Sequence, residues 1–544
     1  MKKEDLIAPE YYNFTQEVEK FVNQDNRIAI KWLNELGDLL EITYLDLVKQ
    51  LNKYANALLK QGLKKGDKIL LTLPRIPESY FIYLACIKLG IVIIPCSEML
   101  RNKDLSYRIR HSGARAIISY YQFISEVDDI KDELTTLTLK FIIGNTYEGW
   151  ISLDKIAADE SEFCEVAKTK SDEMAFLPYT SGTTGNPKAV VHTHGWAYAH
   201  LQTASKQWLG VKDEDTVWAT AAPGWQKWIW SPFLSTIGMG ATAFVYHGSF
   251  DPNKYLQLLQ VNNISVLCCT PTEYRLMAKV DNIEKYSLPA LRSAVAAGEP
   301  LNRQVIDTFK THFNVEVRDG YGQTENTLLV GTLMGMEIKP GSMGKPTPGN
   351  KVDIIDKEGN PVKPGEVGDI AVHRSTPALF VEYYKDPERT AKALREDWYI
   401  TGDQATKDED GYFWFEGRSD DIIISSGYTI GPFEVEDALT KHLAVKECAV
   451  VASPDEIRGS VVKAFVVLRN PKDINKEELV LELQKHVKKL TAPYKYPRII
   501  EFVSDLPKTT SGKIRRKELR QQKEAKELIN NRKLLDHLNL IDRS

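Results

Sequence analysis

Cysteine is scarce in this 544-residue sequence, with six residues and no C-x-x-C pair. Zinc sites and disulfide frameworks need paired or clustered cysteines, so neither is expected. The adjacent Cys268 and Cys269 lie in an apolar run, which indicates core packing. This usage favours a reducing compartment, and we expect a cytoplasmic protein. The six residues are Cys86, Cys96, Cys164, Cys268, Cys269 and Cys448.

Long apolar runs are also missing. The most apolar stretch, Tyr80 to Pro95, contains Lys88 and Gly90, and it is shorter than the roughly 20 residues that span a bilayer. It predicts a buried helix followed by a strand. The polar start of the chain predicts no signal peptide. We therefore expect a soluble protein without integral membrane association.

Neither sign of charge is in excess. The 70 basic and 74 acidic residues give a net charge of −4, which provides no argument for nucleic acid as a partner. With 43% hydrophobic and 26% charged residues, the composition is that of an ordinary globular protein. A chain of this length is expected to form two or more domains.

Strand and helix patterns alternate through the first part of the chain. Thr43, three residues before Asp46, predicts the start of a helix that lasts until Gly62. The alternation predicts an α/β fold of doubly wound, mainly parallel sheets, with ligands at the carboxyl ends of the strands. The predicted strands are Lys68 to Leu73, Ile91 to Ile94, Ala116 to Ser119, Ala241 to Tyr246, Ser265 to Cys269 and Ser293 to Ala297.

The pattern changes after Pro340, where short apolar strands separated by glycines predict an antiparallel, β-barrel-like subdomain. A new core begins after the polar segment Arg418 to Asp421. We place the domain boundary at Asp420. The prediction is a large N-terminal domain, residues 1–419, and a small mobile α+β C-terminal domain, residues 420–544. The second of these has predicted helices at Phe433 to Leu443 and Lys476 to Leu490.

The most informative stretch runs from Tyr179 to Lys188 and reads YTSGTTGNPK. Its hydroxyls and glycine-exposed backbone N–H groups suit phosphate oxygens, and Lys188 adds positive charge. It is not a Walker A loop, because the lysine stands between Pro187 and Ala189. A simple turn rich in Ser, Thr and Gly is the structural alternative. The ten residues together resemble the phosphate signature of the adenylate-forming superfamily, which contains acyl-CoA synthetases, luciferases and peptide-synthetase adenylation domains.

A second stretch, Asp319 to Glu325, reads DGYGQTE and closes a predicted strand. Its glycines let the backbone approach a flat ligand, Tyr321 offers an aromatic face to adenine, and Glu325 supplies a hard oxygen. It resembles the superfamily's second signature, which implies that Glu325 serves Mg²⁺ on the triphosphate and that Thr324 lies beside the acyl phosphate. The segment Ala296 to Leu301 resembles the adenine-side loop.

Three later residues match further parts of the superfamily pattern. The resemblance implies that Asp403 holds both ribose hydroxyls, which one carboxylate can do with its two oxygens. It places Arg418 near ribose and phosphate, and Asp420 at a hinge between two domain orientations.

The segment Ser511 to Arg516 reads SGKIRR and resembles the last signature. This resemblance implies that Lys513 is the catalytic lysine, whose ammonium neutralises charge on the α-phosphate during carboxylate attack. Acetylation would remove that charge, so we expect Lys513 to be a target of a lysine acetyltransferase and deacetylase.

The resemblance implies catalytic roles for Lys513, Thr184 and Glu325. It also implies ATP contacts from Thr180, Ser181, Gly182, Thr183, Thr184, Gly185, Lys188, Gly298, Glu299, Asp319, Gly320, Tyr321, Gly322, Gln323, Thr324, Asp403, Arg418 and Lys513.

Another group matches coenzyme A contacts of medium-chain acyl-CoA synthetases. Gly427 leaves room for the pantetheine arm, and arginines suit the nucleotide phosphates. Each residue alone is equally compatible with a surface turn or a solvated arginine, but together they favour CoA over a carrier protein. Thr429 stands where relatives commonly have arginine. The group comprises Ser426, Gly427, Tyr428, Arg458, Tyr496, Pro497 and Arg498.

The implied acyl pocket contains Trp225, Gln226, Gly322 and Thr324, and the resemblance implies that the aromatic-rich segment Gly224 to Trp230 lies along it. A simple core position is the structural alternative for that segment. Acetate-specific relatives have tryptophan at the position of Gly322, so this chain is expected to accept longer or branched acids. Each further buried CH₂ adds about 0.8 kcal/mol of binding. Gln226 and Lys227 stand where relatives are often apolar, and they either shorten the pocket or point away from it.

The predicted function is an AMP-forming acid-thiol ligase of fatty acid metabolism, closest to the medium-chain acyl-CoA synthetases. It uses ATP, Mg²⁺ and CoA on a short to medium, straight or branched monocarboxylic acid. Two alternatives remain, an enzyme that loads a carrier protein and a non-catalytic nucleotide-binding relative. His192 and His194 have spacing that suits a metal, but without a third ligand we interpret them as hydrogen-bonded histidines.

Overall fold

The computed structural model describes residues 1–24, 26–130, 134–180, 186–299, 301, 303–419, 421–425, 428–455, 459–471, 475–491, 494–508 and 514–520. The chain forms two compact units. The first contains Met1–Asp353, Ala371–Thr401 and Gly411–Phe413, and the second contains Ile354–Ile370, Gly402–Asp410 and the chain from Trp414 onwards. The second unit thus includes segments that precede Asp420. Asp420 lies outside the described residues, and the boundary there stays a prediction.

Within the described ranges, the strands are β1 (Ile28–Asn34), β2 (Leu39–Thr43), β3 (Lys68–Thr72), β4 (Val92–Pro95), β5 (Ala116–Tyr120), β6 (Leu139–Ile143), β7 (Ile151–Ser152), β8 (Met174–Phe176), β9 (Tyr179–Thr180), β10 (Lys188–Ala189), β11 (His192–Thr193), β12 (Thr216–Ala219), β13 (Thr242–His247), β14 (Val266–Cys269), β15 (Ser293–Ala297), β16 (Val317–Gly322), β17 (Leu328–Gly331), β18 (Ser342–Pro346), β19 (Val352–Ile355), β20 (Gly368–His373), β21 (Leu394–Arg395), β22 (Trp398–Lys407), β23 (Phe413–Arg418), β24 (Ile423–Ser425), β25 (Tyr428–Ile430), β26 (Val445–Asp455), β27 (Gly459–Leu468) and β28 (Ile499–Phe502).

The α-helices of the same ranges are α1 (Thr15–Glu19), α2 (Tyr44–Lys60), α3 (Pro77–Leu89), α4 (Asn102–Ser112), α5 (Ser125–Asp128), α6 (Leu153–Ala158), α7 (His194–His200), α8 (Gln226–Trp228), α9 (Pro252–Val261), α10 (Pro271–Met277), α11 (Arg303–Phe313), α12 (Pro387–Lys392), α13 (Pro432–Thr440) and α14 (Lys476–Leu490). Short 3₁₀ helices occupy Lys3–Leu6, Tyr121–Phe123 and Ile283–Lys285, and π-helices occupy Leu201–Leu209 and Ile229–Ser235.

Local sequence signals set the predicted helix ends. The Thr43 hydroxyl accepts a hydrogen bond from the Asp46 backbone N–H and caps α2, as the capping pattern predicts. Helix α3 ends at Gly90, which adopts a left-handed φ of 66°. A left-handed residue at this position is the usual role of glycine after a helix. Nearly all of α3 is buried, which confirms that the apolar run is a core helix.

The first unit contains a sheet with strand order β11-β8-β4-β3-β5-β6-β7 among the described residues. Its strands β4, β3, β5, β6 and β7 are parallel neighbours. Only β11 against β8 is antiparallel in the described part of this sheet. The sheet therefore has the parallel, helix-covered character that the alternating pattern predicts.

A second sheet contributes to this unit the run of neighbouring strands β18-β17-β16-β15-β14-β12-β13-β1-β2, and the same sheet continues from β18 through β23, β22, β20 and β19. Strands β14, β15 and β16 are parallel, and Ala297 pairs with Gly320. The segments that follow Ala297 and Gly320 therefore leave the same edge of the sheet. This is the edge where parallel α/β sheets bind ligands.

The second unit has its own core around β26, β27 and β28. Strands β26 and β27 are antiparallel, and β27 and β28 are parallel. Helices α13 and α14 contribute buried residues such as Val435, Leu439 and Leu483 to the same cluster. The predicted α+β character of the C-terminal part is confirmed.

All six cysteines are buried and unbridged, so the prediction of core packing for Cys268 and Cys269 is confirmed. Within the part of the chain that the structure describes, no helix has both the length and the apolar character needed to cross a bilayer.

Candidate active site

The predicted phosphate loop is carried by a small hairpin. Strands β9 and β10 are antiparallel, with Thr180 opposite Lys188. The Tyr107 hydroxyl of α4 donates to the carbonyl oxygen of Pro187 at 3.2 Å. The five loop residues between the hairpin strands, Ser181, Gly182, Thr183, Thr184 and Gly185, lie outside the described residues, and their predicted roles stay predictions.

Lys188 and Glu325, from the first and second signatures, meet in one ion pair. The Lys188 Nζ lies 2.6 Å from the Glu325 Oε1. The Tyr383 hydroxyl accepts from Lys188 at 2.7 Å and donates to the same carboxylate oxygen at 2.9 Å. Glu325 is 5% exposed, so this carboxylate is held by charge-assisted hydrogen bonds in a largely dry environment. We call Lys188, Glu325 and Tyr383 the ionic triad.

The ionic triad is suited to bind a metal-complexed triphosphate. Glu325 offers one hard oxygen ligand, and Mg²⁺ in nucleotide sites takes one or two protein carboxylates plus phosphate oxygens and water. No group of three His, Cys, Asp or Glu side chains in the described ranges is arranged to hold a metal by itself. The residues present therefore fit a Mg²⁺ ion that arrives with ATP rather than one in an all-protein cage.

The second signature lies at the carboxyl end of β16. The Asp319 carboxylate accepts from the backbone N–H groups of Gly320 at 2.8 Å and Leu301 at 3.3 Å. Burial raises the pKa of the Asp319 carboxyl to about 7. A Cβ at Gly320 would lie 2.6 Å from the ring of Trp208. The glycine is required here because an indole packs directly on the backbone.

The predicted adenine-side loop lies beside this strand end. Gly298 has a φ of 103°, with open space where a Cβ would project. The Glu299 carboxylate accepts from the Thr272 hydroxyl at 2.8 Å and from Arg275 at 2.9 Å. The β15 and β16 register thus brings Gly298 and Glu299 next to the segment that contains Tyr321. A flat ligand at this edge would meet both loops.

Gln323 and Thr324 are fixed by contacts on both sides. The Gln323 side chain donates to the carbonyl oxygen of Thr401 at 3.0 Å and accepts from Tyr399 at 3.2 Å. The Nε2 of His192 donates to the carbonyl oxygen of Thr324 at 2.5 Å. Burial lowers the pKa of His192 to about 4. The neutral imidazole therefore holds this loop near neutral pH.

The neighbouring His194 is also buried, and burial lowers its pKa to about 4. Its backbone N–H donates to the carbonyl oxygen of Glu173 at 3.0 Å. It therefore has a separate place in the core, away from the His192 contact with Thr324.

Gly322, a predicted acyl-pocket residue, lies against the backbone and an indole ring. A Cβ at this position would lie 2.2 Å from the carbonyl oxygen of Thr327 and 3.1 Å from Cη2 of Trp230. This backbone therefore has no room for the tryptophan found in acetate-specific relatives. The large side chain beside Gly322 is Trp230, the last residue of the aromatic-rich segment that is expected to lie along the acyl pocket. Trp225 lies immediately before α8, and Gln226 is the first residue of that helix.

Asp403 and Arg418, which belong to the second unit, lie on adjacent strands. Asp403 is buried in β22, and Arg418 ends β23, its neighbour in the sheet. The Ser419 backbone N–H donates to the carbonyl oxygen of Gly402 at 2.9 Å. The structure thus places the two predicted ribose and phosphate contacts on neighbouring strands.

The described part of the predicted CoA group forms a cationic cluster. Arg498 donates to the Tyr496 hydroxyl at 2.8 Å, and Lys488 Nζ lies 3.9 Å from the centre of the Tyr496 ring. The Pro497 carbonyl oxygen accepts from Gln484 at 3.0 Å. Ser426, Gly427 and Arg458 lie outside the described residues, as does the side chain of Tyr428. Two positive charges on one aromatic ring suit a nucleotide phosphate.

The residues that flank the last signature are joined by backbone pairing. Lys508 pairs with Ile514, and the Arg515 backbone N–H donates to the carbonyl oxygen of Pro507 at 2.8 Å. Two nitrogens of Arg516 pair with the carboxylate of Glu436 of α13: Nη2 donates to both oxygens at 2.7 Å, and Nε donates to Oε1 at 3.3 Å. Lys513 lies outside the described residues, so its role stays a prediction. Arg516 anchors the chain three residues beyond it.

Sequence reasoning did not identify several residues that the structure adds to these groups. Tyr383 completes the ionic triad, although it follows Glu325 by a long stretch and belongs to no signature. Lys488 lies on α14 among other solvated lysines, and only its contact with Tyr496 distinguishes it.

The chain matches known proteins over most of its length. The model of the family described as AMP-binding enzyme matches residues 18–384, and that of the AMP-binding enzyme C-terminal domain matches residues 434–513. The chain is 61% identical over 526 residues to YtcI of Bacillus subtilis (strain 168), named an uncharacterized acyl-CoA ligase. That match covers 96% of this chain and 98% of the relative.

A second relative is the human mitochondrial acyl-coenzyme A synthetase ACSM3, which is 42% identical over 532 residues. The match covers 95% of this chain and 90% of the relative. Among solved structures, the chain resembles the anthranilate CoA ligase AuaEII in complex with anthranoyl-AMP, with a TM-score of 0.89 at 29% identity. This match covers 97% of this chain and 100% of that structure.

Proposed function

The chain belongs to the AMP-binding enzyme family and is an ATP-dependent acyl-CoA ligase, and from this premise we propose which residues perform each step and which acids it takes. The enzyme uses ATP, Mg²⁺ and CoA. In the first step a carboxylate oxygen bonds to the α-phosphorus of ATP, and pyrophosphate leaves. In the second step the CoA sulfur bonds to the acyl carbon, the thiol proton is lost, and AMP leaves.

The observation that carries the assignment of residues is the ionic triad. Lys188 provides a positive charge for phosphate oxygens, Glu325 provides a carboxylate oxygen for Mg²⁺, and Tyr383 keeps both side chains in place. Burial and the Glu325 charge raise the pKa of Tyr383 above its usual value, so its hydroxyl stays a donor. Mg²⁺, when bound, neutralises charge on the triphosphate.

Recognition of the nucleotide is assigned to three further groups. Gly298, Glu299 and the segment Asp319 to Thr324 receive adenine and the acyl phosphate at the carboxyl ends of β15 and β16. Asp403 and Arg418 receive ribose and phosphate. Thr180 and the loop from Ser181 to Gly185, with Thr184, hold the triphosphate. The register of the two strands and the adjacency of β22 and β23 support these assignments.

Lys513 is proposed to act only in the first step, by neutralising charge on the α-phosphate. The C-terminal domain, residues 420–544, then turns about Asp420 and presents the CoA group. The cationic cluster of Lys488, Tyr496 and Arg498 supports CoA as the thiol that enters. Acetylation of Lys513 by a lysine acetyltransferase would stop adenylation, because the positive charge would be lost.

The acid is proposed to be a short to medium, straight or branched monocarboxylate. Gly322 carries no side chain, and the nearest large side chain, Trp230, determines the pocket on that side. We also propose that the enzyme works in the cytoplasm. The six unbridged cysteines support this location.

The test is acid-dependent AMP release, measured with and without CoA, across straight and branched acids from acetate to decanoate. The proposal predicts catalytic AMP release only with CoA, and better kcat/KM on a longer acid than on acetate. Best activity on acetate would contradict the pocket assignment. Pyrophosphate release without CoA-dependent turnover, together with acyl transfer to a phosphopantetheinylated carrier protein, would contradict CoA as the acceptor.

A further inference from the structure

Three buried polar atoms next to the candidate acyl pocket have no hydrogen-bond partner in the described part of the chain. They are Nε2 and Oε1 of Gln226 and Nε1 of Trp230. All three are shielded from solvent, and Trp230 as a whole is only 8% exposed. Buried polar groups in folded proteins nearly always have partners. An unpaired group of this kind therefore requires an explanation.

The two residues lie four positions apart in one continuous helical stretch. Gln226 begins α8, which continues directly into the π-helix Ile229–Ser235 that contains Trp230. Residues four apart in a helix lie close to each other on its surface. π-Helical turns occur frequently at functional sites, and Pro232 inside this segment disfavours regular α-helical bonding. The helix therefore directs an amide and an indole N–H toward a common region.

Trp230 lies beside Gly322, a residue of the proposed acyl pocket. Cη2 of Trp230 lies 3.1 Å from the position of a Cβ on Gly322. His200 fixes the helix there, because its Nε2 donates to the carbonyl oxygen of Trp230, 2.9 Å away, and its Nδ1 lies 2.5 Å from the Thr327 hydroxyl. The indole is thus held in place by its backbone rather than by its own N–H.

Resting on the proposed function, we propose that the acid carries a hydroxyl group in addition to its carboxylate, and that Gln226 and Trp230 select it. A hydroxyl has one donor and two acceptor positions. It can donate to Oε1 of Gln226 and accept from Nε1 of Trp230. An acid with a methyl group at that place leaves the amide and the indole N–H unpaired.

The expected discrimination is large. A site built to hydrogen-bond a substrate hydroxyl rejects the analogue that lacks it far more strongly than an apolar pocket rejects an extra hydroxyl. For a site with two such bonds we expect a preference of at least about 100-fold in kcat/KM for the hydroxylated acid over its methyl analogue. The preference depends on where the hydroxyl group stands in the acid. We expect it at one chain length or ring position and a smaller kcat/KM ratio at the others.

The experiment compares pairs of acids that differ only by a hydroxyl in place of a methyl group. The pairs are straight-chain acids of increasing length and ring-substituted benzoates, and CoA-dependent AMP release gives kcat/KM for each. The wild-type enzyme is expected to prefer one hydroxylated acid by about 100-fold. Gln226→Leu and Trp230→Phe are expected to move that ratio toward one. Gln122→Leu, at an exposed glutamine that contacts Tyr121, is the matched control and keeps the wild-type ratio.

Outcomes on the wild-type enzyme decide the question even where a variant fails to fold. If the methyl acid of every pair is the better substrate, the three atoms are solvated by water and the inference is overturned, while CoA-dependent AMP release still supports the ligase assignment. If Gln226→Leu folds, by its thermal unfolding transition, and keeps the full hydroxyl preference, Gln226 is not the selecting residue. If no acid supports AMP release, the proposed function fails together with this inference.

Discussion

The ionic triad allows one substitution to be examined in detail, Tyr383→Phe. The ring would remain, so the Lys188 ammonium, 4.4 Å from its centre, would keep its contact with the aromatic face. Only the hydroxyl would be lost, and with it one hydrogen bond from Lys188 and one to Glu325. The direct ion pair of 2.6 Å would remain. The variant therefore tests whether the hydroxyl positions the pair.

The magnitude follows from the two lost bonds. A hydrogen bond to a charged group contributes about 1.5–3 kcal/mol. Since the ion pair survives, we expect the loss of roughly one such bond in the productive complex. Because 1.4 kcal/mol corresponds to a factor of ten, kcat/KM for ATP should fall by about 10- to 100-fold. The KM for the acid should change little.

The assay is the steady-state rate of AMP release at saturating acid and CoA, with ATP varied. Tyr384→Phe is the matched control, since this neighbouring ring contacts His111 at 5.8 Å and lies outside the ionic triad. The control should stay within about twofold of wild type, as is usual away from special contacts. Equal activity of both variants with ATP would refute the positioning role of Tyr383.

Three further predictions concern the free energy of unfolding and the separate rates of acyl-AMP formation and thioester formation. Burial lowers the pKa of His192 and His200 from 6.5 to about 4. As the pH falls, these histidines therefore become protonated in the unfolded chain at a higher pH than in the folded protein. The free energy of unfolding should therefore decrease as the pH falls from about 6.5 to about 4, by up to about 1.4 kcal/mol per pH unit for each histidine. Equal free energies of unfolding, measured by urea denaturation at the two ends of this pH range, would contradict this prediction. Gly320→Ala should lower the free energy of unfolding by about 1–3 kcal/mol, because its methyl group would collide with Trp208, and an unchanged denaturation midpoint would show that the indole moves aside freely. Arg516→Lys gives up the two-pronged pairing with the α13 carboxylate and should slow acyl-AMP formation more than thioester formation from supplied acyl-AMP; equal slowing of both steps would argue against an anchoring role near Lys513.

Much of the fold could be predicted because its signals are local. The capping hydroxyl of Thr43 and the left-handed Gly90 define helix ends from short stretches of sequence. The apolar strands β3, β14 and β15 are bounded by turns and are buried almost completely. The parallel order that the alternation predicts then places two signatures at one sheet edge without any knowledge of distant contacts.

Other features depend on contacts that the sequence does not state. Strand β1 joins the large sheet by pairing Ile30 with Ala243, a partner far away in the chain. The π-helix Ile229–Ser235 depends on the packing of His200 and Ser235, whose Nε2 and Oγ atoms are 3.0 Å apart. Tyr383 is identified as a site residue only by the fold, which brings its hydroxyl into contact with both Lys188 and Glu325.

The size of the proposed pocket at Gly322 depends on more than the residue at that position. The comparison with acetate-specific relatives assumes that glycine, in place of tryptophan, enlarges the pocket. The backbone here instead brings Thr327 and Trp230 into that direction. A single position therefore predicts the size of the pocket less well than the arrangement of the helix that faces it.

The proposed first step activates the acid as an acyl adenylate, and one isotope measurement tests this step. The enzyme is supplied with ATP, CoA and an acid whose carboxyl oxygens carry the heavy isotope, and the AMP product is analysed by mass spectrometry. Attack of the carboxylate on the α-phosphorus predicts one heavy oxygen in each AMP, because the thiol displaces AMP together with that oxygen. Unlabelled AMP, formed while acyl-CoA accumulates, would contradict the acyl-adenylate route.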